Sequence, residues 1–482
     1  MDLTQLRAAF CGRLHTEAGE MAPFLTDWRG KWTGRAIAVA QPDTAADVAA
    51  VLRWCHLHRV PVVPQGGNTG LSGGATPDTS GQALLLSLAR LKRVRAVDPL
   101  NHTLEVEAGV TLQQVQDAAQ EAGCLFPLSL AAEGSCTIGG NLATNAGGVQ
   151  VLRYGNAREL CLGLEVVTAE GELWNGLRGL RKDNTGYDLR DLFIGSEGTL
   201  GVITAAVLKL FPMPAARVAA FVAVATPEQA VGLLQLAQAR LGPGLSAFEL
   251  MSDTCIGLVE KHVDAARLPL AERSPWYVLL EVSQHGAGGQ DEAHALAALE
   301  ALLEIALDRG LATDAALSAS LAQFRALWAL REDISESQGA EGKTIKHDIS
   351  LPISHIADFI ATTDAAIARE FPGLRLVVFG HLGDGNLHYN LSPPAERSRP
   401  EDAAAFVALE GPLNRLVHDA VSARGGSISA EHGLGVLRRD ESARYKSPIE
   451  LKLMRAIKAA LDPLNLMNPG KLLDLEAKET PR

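Results

Sequence analysis

The chain has 482 residues, too many for a single hydrophobic core, and 47% of them are hydrophobic, which excludes wholesale disorder. Its formal net charge is −12 and it contains no basic run, so a nucleic-acid partner is not expected. The six cysteines lack CxxC spacing and no run reaches the roughly 18 apolar residues of a membrane span, so disulfide, iron–sulfur and transmembrane frameworks are not expected either.

In chain order, the first half alternates strands and helices. Residues 36–40 read as a strand. Thr44 then caps a helix running to about His58, with Asp47 as its capping-box partner. Strands follow at 60–63, 84–88 and 103–107, and a second helix starts at Thr111 and ends at Gly123. Strands at 164–169 and 201–211 complete an α+β unit, and Pro212 and Pro214 mark a boundary. Beyond it, strands at 219–225, 247–251 and 276–282 are separated by Ala/Leu-rich helices. A long helix is expected over 316–336, a strand over 344–351 and a helix over 353–370. Helices at 402–423 and 449–461 close the pattern.

Two glycine-rich loops stand out. Residues 64–74 and 133–148 each contain five glycines, are rich in Ser, Thr and Asn, and hold no Lys or Arg. Glycine lets backbone N–H groups approach a ligand, and successive N–H groups form an anion nest. Such a pair points to a cofactor diphosphate held by dipoles and hydroxyls. No G-x-G-x-x-G follows a strand, which counts against a Rossmann nicotinamide site.

The segment His381-Leu382-Gly383-Asp384-Gly385-Asn386-Leu387-His388 reads as a tight hairpin with Asp384-Gly385 as a two-residue turn. In that register His381 faces His388, with Cβ atoms about 4.5–5.5 Å apart. That spacing suits two nitrogens on one metal ion. Asn390, two residues past His388, lies on the same face. A single histidine here would read as an ordinary surface residue; two matched across one turn favour a metal.

The first loop, the block Gly139-Gly140-Asn141…Thr144-Asn145-Ala146-Gly147-Gly148, and Gly195-Ser196-Glu197-Gly198-Thr199-Leu200-Gly201-Val202-Ile203-Thr204 resemble the FAD-binding domain of the vanillyl-alcohol oxidase/p-cresol methylhydroxylase flavoproteins. The hairpin, Ser429-Ala430-Glu431-His432-Gly433-Leu434-Gly435 and Asn468-Pro469-Gly470-Lys471 narrow the resemblance to the FAD-linked D-2-hydroxyacid dehydrogenase branch. It covers nearly the whole chain. It implies an α+β fold: a two-subdomain FAD-binding domain over 1–215, a cap domain with an antiparallel sheet covered by helices over 216–425, and a C-terminal segment over 426–482 that returns to the flavin.

For the site, the resemblance implies His381, His388 and Glu431 as metal ligands, with zinc first and manganese or iron open, and His432 as general base. Arg331, Ser335 and Lys346 match substrate-binding positions, and Asn390 is expected to bind substrate or orient a ligand. Arg331 and Ser335 lie four apart on the expected long helix and so share a face. FAD is expected against Gly66, Gly67, Asn68, Thr69, Gly70, Ser72, Gly134, Ser135, Gly139, Gly140, Asn141, Thr144, Asn145, Gly198, Ile203 and Asn468. Some relatives attach flavin through a histidine in the first loop; none stands there, so FAD is expected to be non-covalent. The implied reaction is oxidation of a D-2-hydroxyacid, a dicarboxylate such as D-2-hydroxyglutarate ahead of D-lactate; a metal-free flavin alcohol oxidase is the other alternative. An electron-transfer flavoprotein, a quinone or a cytochrome is expected as acceptor, and a homodimer is left open. The opening Met-Asp-Leu-Thr lacks an export signal, so a cytoplasmic protein is expected.

Overall fold

The computed structural model describes residues 3–285, 291–395 and 402–475. The chain divides into two compact units, one of Met1–Gly148, Tyr154–Met213 and Glu431–Arg482, the other of Val149–Arg153 and Pro214–Ala430. Among the described residues no helix is long and apolar enough to cross a membrane.

The first unit holds two main sheets. One has four strands in the order Gly12–His15, Ala38–Pro42, Leu84–Ser87, Val62–Gln65, the last three mutually parallel. Parallel neighbours need a crossover. The helix Ala45–His58 supplies it, packing Val48, Val51, Leu52 and Cys55 against Leu84 and Leu86. As expected, Thr44 caps this helix: its Oγ1 accepts from the Asp47 N–H at 3.2 Å and donates to Asp47 Oδ2 at 2.6 Å. The second sheet is antiparallel, in the order Val94–Asp98, Thr103–Glu107, Gly201–Lys209, Cys161–Thr168, Leu173–Gly176. The helix Leu112–Glu121 covers it, with Thr111 and Gln114 forming a reciprocal capping box.

The second unit is built on seven antiparallel strands in the order Asp314–Leu317, Ala216–Val224, Trp276–Gln284, Leu245–Ser252, Arg375–His381, Asn386–Ser392, Asp348–Ser350. One face presents Phe221, Met251, Tyr277 and Phe379 to the helices Asp253–His262, Leu321–Glu332 and Ile334–Ala340. Residues of the alternate parity, such as Val222, Phe248 and Leu280, are equally buried, so both faces are covered. Burying each such side chain contributes about 1.5–3 kcal/mol.

Four expectations for this unit are corrected. The helix at 316–336 is a strand, Asp314–Leu317, followed by two helices that break at Asp333, whose side chain competes for backbone groups and disfavours a helix interior. The helix at 402–423 splits into Ala403–Val407 and Glu410–Ser422, because the Pro412 ring would clash with the carbonyl four residues back. The strand at 344–351 shortens to Asp348–Ser350. The hairpin turn spans 382–385 rather than two residues. The Asp384 and Gly385 N–H groups both donate to the His381 carbonyl, at 3.2 and 3.1 Å, and Leu382 is fully buried. Phe379 therefore stands opposite His388, and His381 pairs with Glu249 on the other neighbouring strand. Burial of Leu382 outweighs the local preference for a shorter turn.

Candidate active site

In the first unit, the loop after Val62–Gln65 and the loop leading into the helix Ile138–Thr144 meet around one cavity. They approach so closely that glycine is required: a Cβ on Gly67 would fall 2.0 Å from the Ser135 carbonyl oxygen. Twelve of the sixteen expected flavin residues line this cavity: Gly66, Gly67, Asn68, Thr69, Gly70, Ser72, Gly139, Gly140, Asn141, Thr144, Gly198 and Ile203. Among the described residues no Lys or Arg lines it. Thr137 Oγ1 lines it too, buried and without a hydrogen-bond partner. A buried hydroxyl of this kind calls for a polar partner. A diphosphate held by backbone and hydroxyl groups fits this donor set.

The other four expected residues stand behind the wall. Gly134 and Ser135 belong to the loop backing Gly67. Asn145 terminates its helix at φ 52° and accepts the Arg158 N–H through Oδ1 at 3.0 Å. The Asn468 amide donates to the carbonyls of Gly74 at 2.9 Å and Glu197 at 2.8 Å, tying two cavity loops together. Beside it, Lys471 Nζ donates to the carbonyls of Gly73 and Thr76, at 3.0 and 2.7 Å, and burial pushes its pKa down to about 8.

His432 lines the same cavity. Its loop is fastened from both sides. The Leu434 and Gly435 N–H groups each donate to the Glu197 carboxylate at 2.8 Å, and the Ser72 hydroxyl lies 3.1 Å from the carbonyls of both His432 and Gly433. Burial raises the Glu197 pKa above the ordinary carboxylate value, opposed by those two N–H donors.

In the second unit, Glu249 is fully buried in the strand Leu245–Ser252. Its Oε1 lies 2.8 Å from His381 Nδ1, and its Oε2 accepts the Arg331 Nε–H at 2.8 Å. Burial alone would raise its pKa; His381 and Arg331 outweigh that and hold it below the ordinary value. The Arg331 guanidinium stacks on Phe379, 4.8 Å from the ring centroid, and the His388 ring lies 4.9 Å from the same ring. The His381 and His388 rings are 5.7 Å apart. Glu431 follows Ala430, the last residue of this unit, whose N–H donates to the Asp348 carbonyl at 3.2 Å. His381 and His388 stand on paired neighbouring strands and could offer two ring nitrogens to one divalent ion.

The expected substrate residues are placed less uniformly. Arg331 is buried and Ser335 exposed, on opposite sides of the break at Asp333, so they do not share one helix face. Lys346 is half-buried. Asn390 is buried; its amide donates to Gln338 Oε1 at 3.0 Å and accepts the His347 N–H at 3.2 Å. Sequence reasoning passed over Thr137, Glu197 and Glu249 as site residues. Glu249 carried a signal, an acid inside the apolar run Ala247-Phe248-Glu249-Leu250-Met251.

A glycine-lined cavity with a histidine on its wall, in a chain whose two domains match FAD-linked oxidases, gives the class: an FAD-dependent oxidoreductase. Residues 36–176 match the FAD binding domain, and residues 213–472 match the C-terminal domain of FAD linked oxidases. The chain is 42% identical over 463 residues to a D-2-hydroxyglutarate dehydrogenase of Xanthomonas citri pv. viticola, covering 96% of this chain and 94% of that one. It is 41% identical over 477 residues to the mitochondrial D-2-hydroxyglutarate dehydrogenase of Bos taurus, covering 99% and 84%. Among solved structures, p-cresol methylhydroxylase with substrate bound aligns over 99% of this chain and 97% of that one with a TM-score of 0.75 at 17% identity, a likeness of fold. The chain belongs to the D-2-hydroxyglutarate dehydrogenase family of FAD-linked oxidases.

Proposed function

We propose that this chain oxidises D-2-hydroxyglutarate to 2-oxoglutarate with non-covalent FAD and a divalent metal, zinc first. The observation that supports it most is the pair His381 and His388, whose rings lie 5.7 Å apart in a chain about 40% identical to D-2-hydroxyglutarate dehydrogenases; Glu431 would complete the ligand set, with His432 next in the chain. When bound, FAD supplies a hydride acceptor and the metal a Lewis acid that lowers the pKa of the substrate hydroxyl. His432 takes the hydroxyl proton on a ring nitrogen, the part of a general base. Arg331 uses Nε for Glu249, so its two Nη groups clamp a substrate carboxylate in a fork. Lys346 offers a point charge to the second carboxylate, which lactate lacks. Ser335 adds a hydroxyl, and Asn390 orients the strand that carries His388.

The electron acceptor is an electron-transfer flavoprotein, a quinone or a cytochrome. We place the protein in a reducing compartment, in keeping with its six free cysteines, with the cytoplasm as the first choice; the Bos taurus relative is named mitochondrial. Anaerobic flavin reduction over a panel of D- and L-2-hydroxyacids tests the whole reading. D-2-hydroxyglutarate should bleach the flavin fastest, a chelator should stop it, and zinc or manganese should restore it. Unimpaired reduction by exhaustively metal-free protein removes the metal from the mechanism.

A further inference from the structure

We propose that Glu249 is a positioning residue that sets His381 as a metal ligand and couples it to Arg331, an inference that rests on the metal reading above. Glu249 lies fully buried in a core strand between Ala247 and Met251. A buried carboxylate is costly to desolvate unless fully paired. Both of its oxygens are paired, one on each partner: Oε1 with His381 Nδ1 and Oε2 with Arg331 Nε, each at 2.8 Å.

The backbone builds this arrangement. Register sets Glu249 directly opposite His381 on the neighbouring antiparallel strand. With Oε2 accepting from the Arg331 Nε–H, Oε1 is the oxygen placed 2.8 Å from Nδ1, so the ring turns Nδ1 to Glu249 and leaves Nε2 facing away. Nδ1 is the ring nitrogen nearer the backbone. Nε2 is thus the atom offered to an ion shared with His388, whose ring lies 5.7 Å away. The second oxygen meanwhile holds the guanidinium that stacks on Phe379. One side chain aligns a metal ligand and the substrate clamp together. A glutamine there has one acceptor oxygen and an NH2 that cannot accept, so it cannot serve both N–H groups.

Wild-type and Glu249→Gln proteins, both carrying FAD, are stripped with a chelator and titrated with zinc against a chromogenic chelator. We expect the zinc dissociation constant to rise about 10–100-fold in the variant. KM for the hydroxyacid should rise too, with flavin content unchanged. A wild type that binds zinc and a variant that binds it equally well overturn this role and leave the metal reading standing. A wild type that takes up neither zinc nor manganese overturns both. The Glu249→Gln, Arg331→Gln double variant separates orientation from charge balance: it should stay weak, and recovery of wild-type zinc affinity would sink the orienting role. If Glu249→Gln fails to fold, a zinc-loaded crystal of the wild type decides; the ion should sit on His381 Nε2, and an ion on Nδ1 overturns the proposal.

Discussion

The Leu434 N–H donates to the Glu197 carboxylate at 2.8 Å across 237 residues of chain. Gly435 does the same at 2.8 Å, and Ser72 reaches the carbonyls of His432 and Gly433. The loop bearing His432 is therefore hung from the flavin-binding loops by two side chains. A Glu197→Gln variant leaves one acceptor oxygen for two N–H donors. Losing one bond to a charged acceptor costs about 1.5–3 kcal/mol. Turnover should fall by about tenfold or more and the melting temperature should drop. Stopped-flow flavin reduction at the wild-type rate would show that the clamp is dispensable.

His432 contributes its main-chain carbonyl to that clamp, not its ring. A His432→Ala variant should consequently keep its flavin. It should lose about 10²–10⁴-fold in the rate of flavin reduction, the usual range for a positioned general base. Flavin content is read from the absorbance spectrum and the rate from single-turnover mixing. A fully active variant refutes the base assignment.

Gly67→Ala places a methyl group 2.0 Å from the Ser135 carbonyl oxygen. Relieving that clash must push the two cavity loops apart, at about 1–3 kcal/mol. The variant should purify with little flavin and melt lower. Gly70→Ala is the control, since a Cβ there meets nothing within 4 Å and should leave the fold intact. Equal flavin retention in wild type and Gly67→Ala would contradict the close packing of the loops.

Glu341 accepts from Lys261 at 2.5 Å, from Arg375 at 2.8 Å, and lies 2.6 Å from His262 Nε2. Burial would raise its carboxyl, but those three partners outweigh it and bring it down from 4.5 to about 2. A depressed folded value means stability that is fully present above the unfolded value of 4.5 and lost as pH falls toward about 2. Glu341→Gln should therefore melt below wild type near neutral pH. The gap should narrow steadily below about pH 4.5. A gap that stays constant from neutral to acid pH would place the effect elsewhere.

Much of the fold was legible in local pattern. Thr44 and Asp47 signal the start of a helix by residue type alone, and the helix at 353–370 appears as Ile353–Glu370. Glycine spacing foretold two loops in close approach around a cavity, because glycine's reach is written in residue type. The hairpin was recognisable, but its register was not. Nothing local says that Leu382 turns into the core, so the opposition of His388 to Phe379 could not be read off the turn residues.

Residue type and spacing by themselves pointed to a cofactor diphosphate and to the two hairpin histidines, and the family resemblance supplied the flavin. Tertiary packing alone decided which groups those histidines meet. Glu249 stands 132 residues before His381, and only the pairing of their two strands turns an isolated acid in an apolar run into the partner of an imidazole and a guanidinium. Periodicity reports the face a residue occupies within its own element. Which neighbour lies across that face is set by the burial of side chains far apart in the chain, where desolvation makes an unpaired charge intolerable.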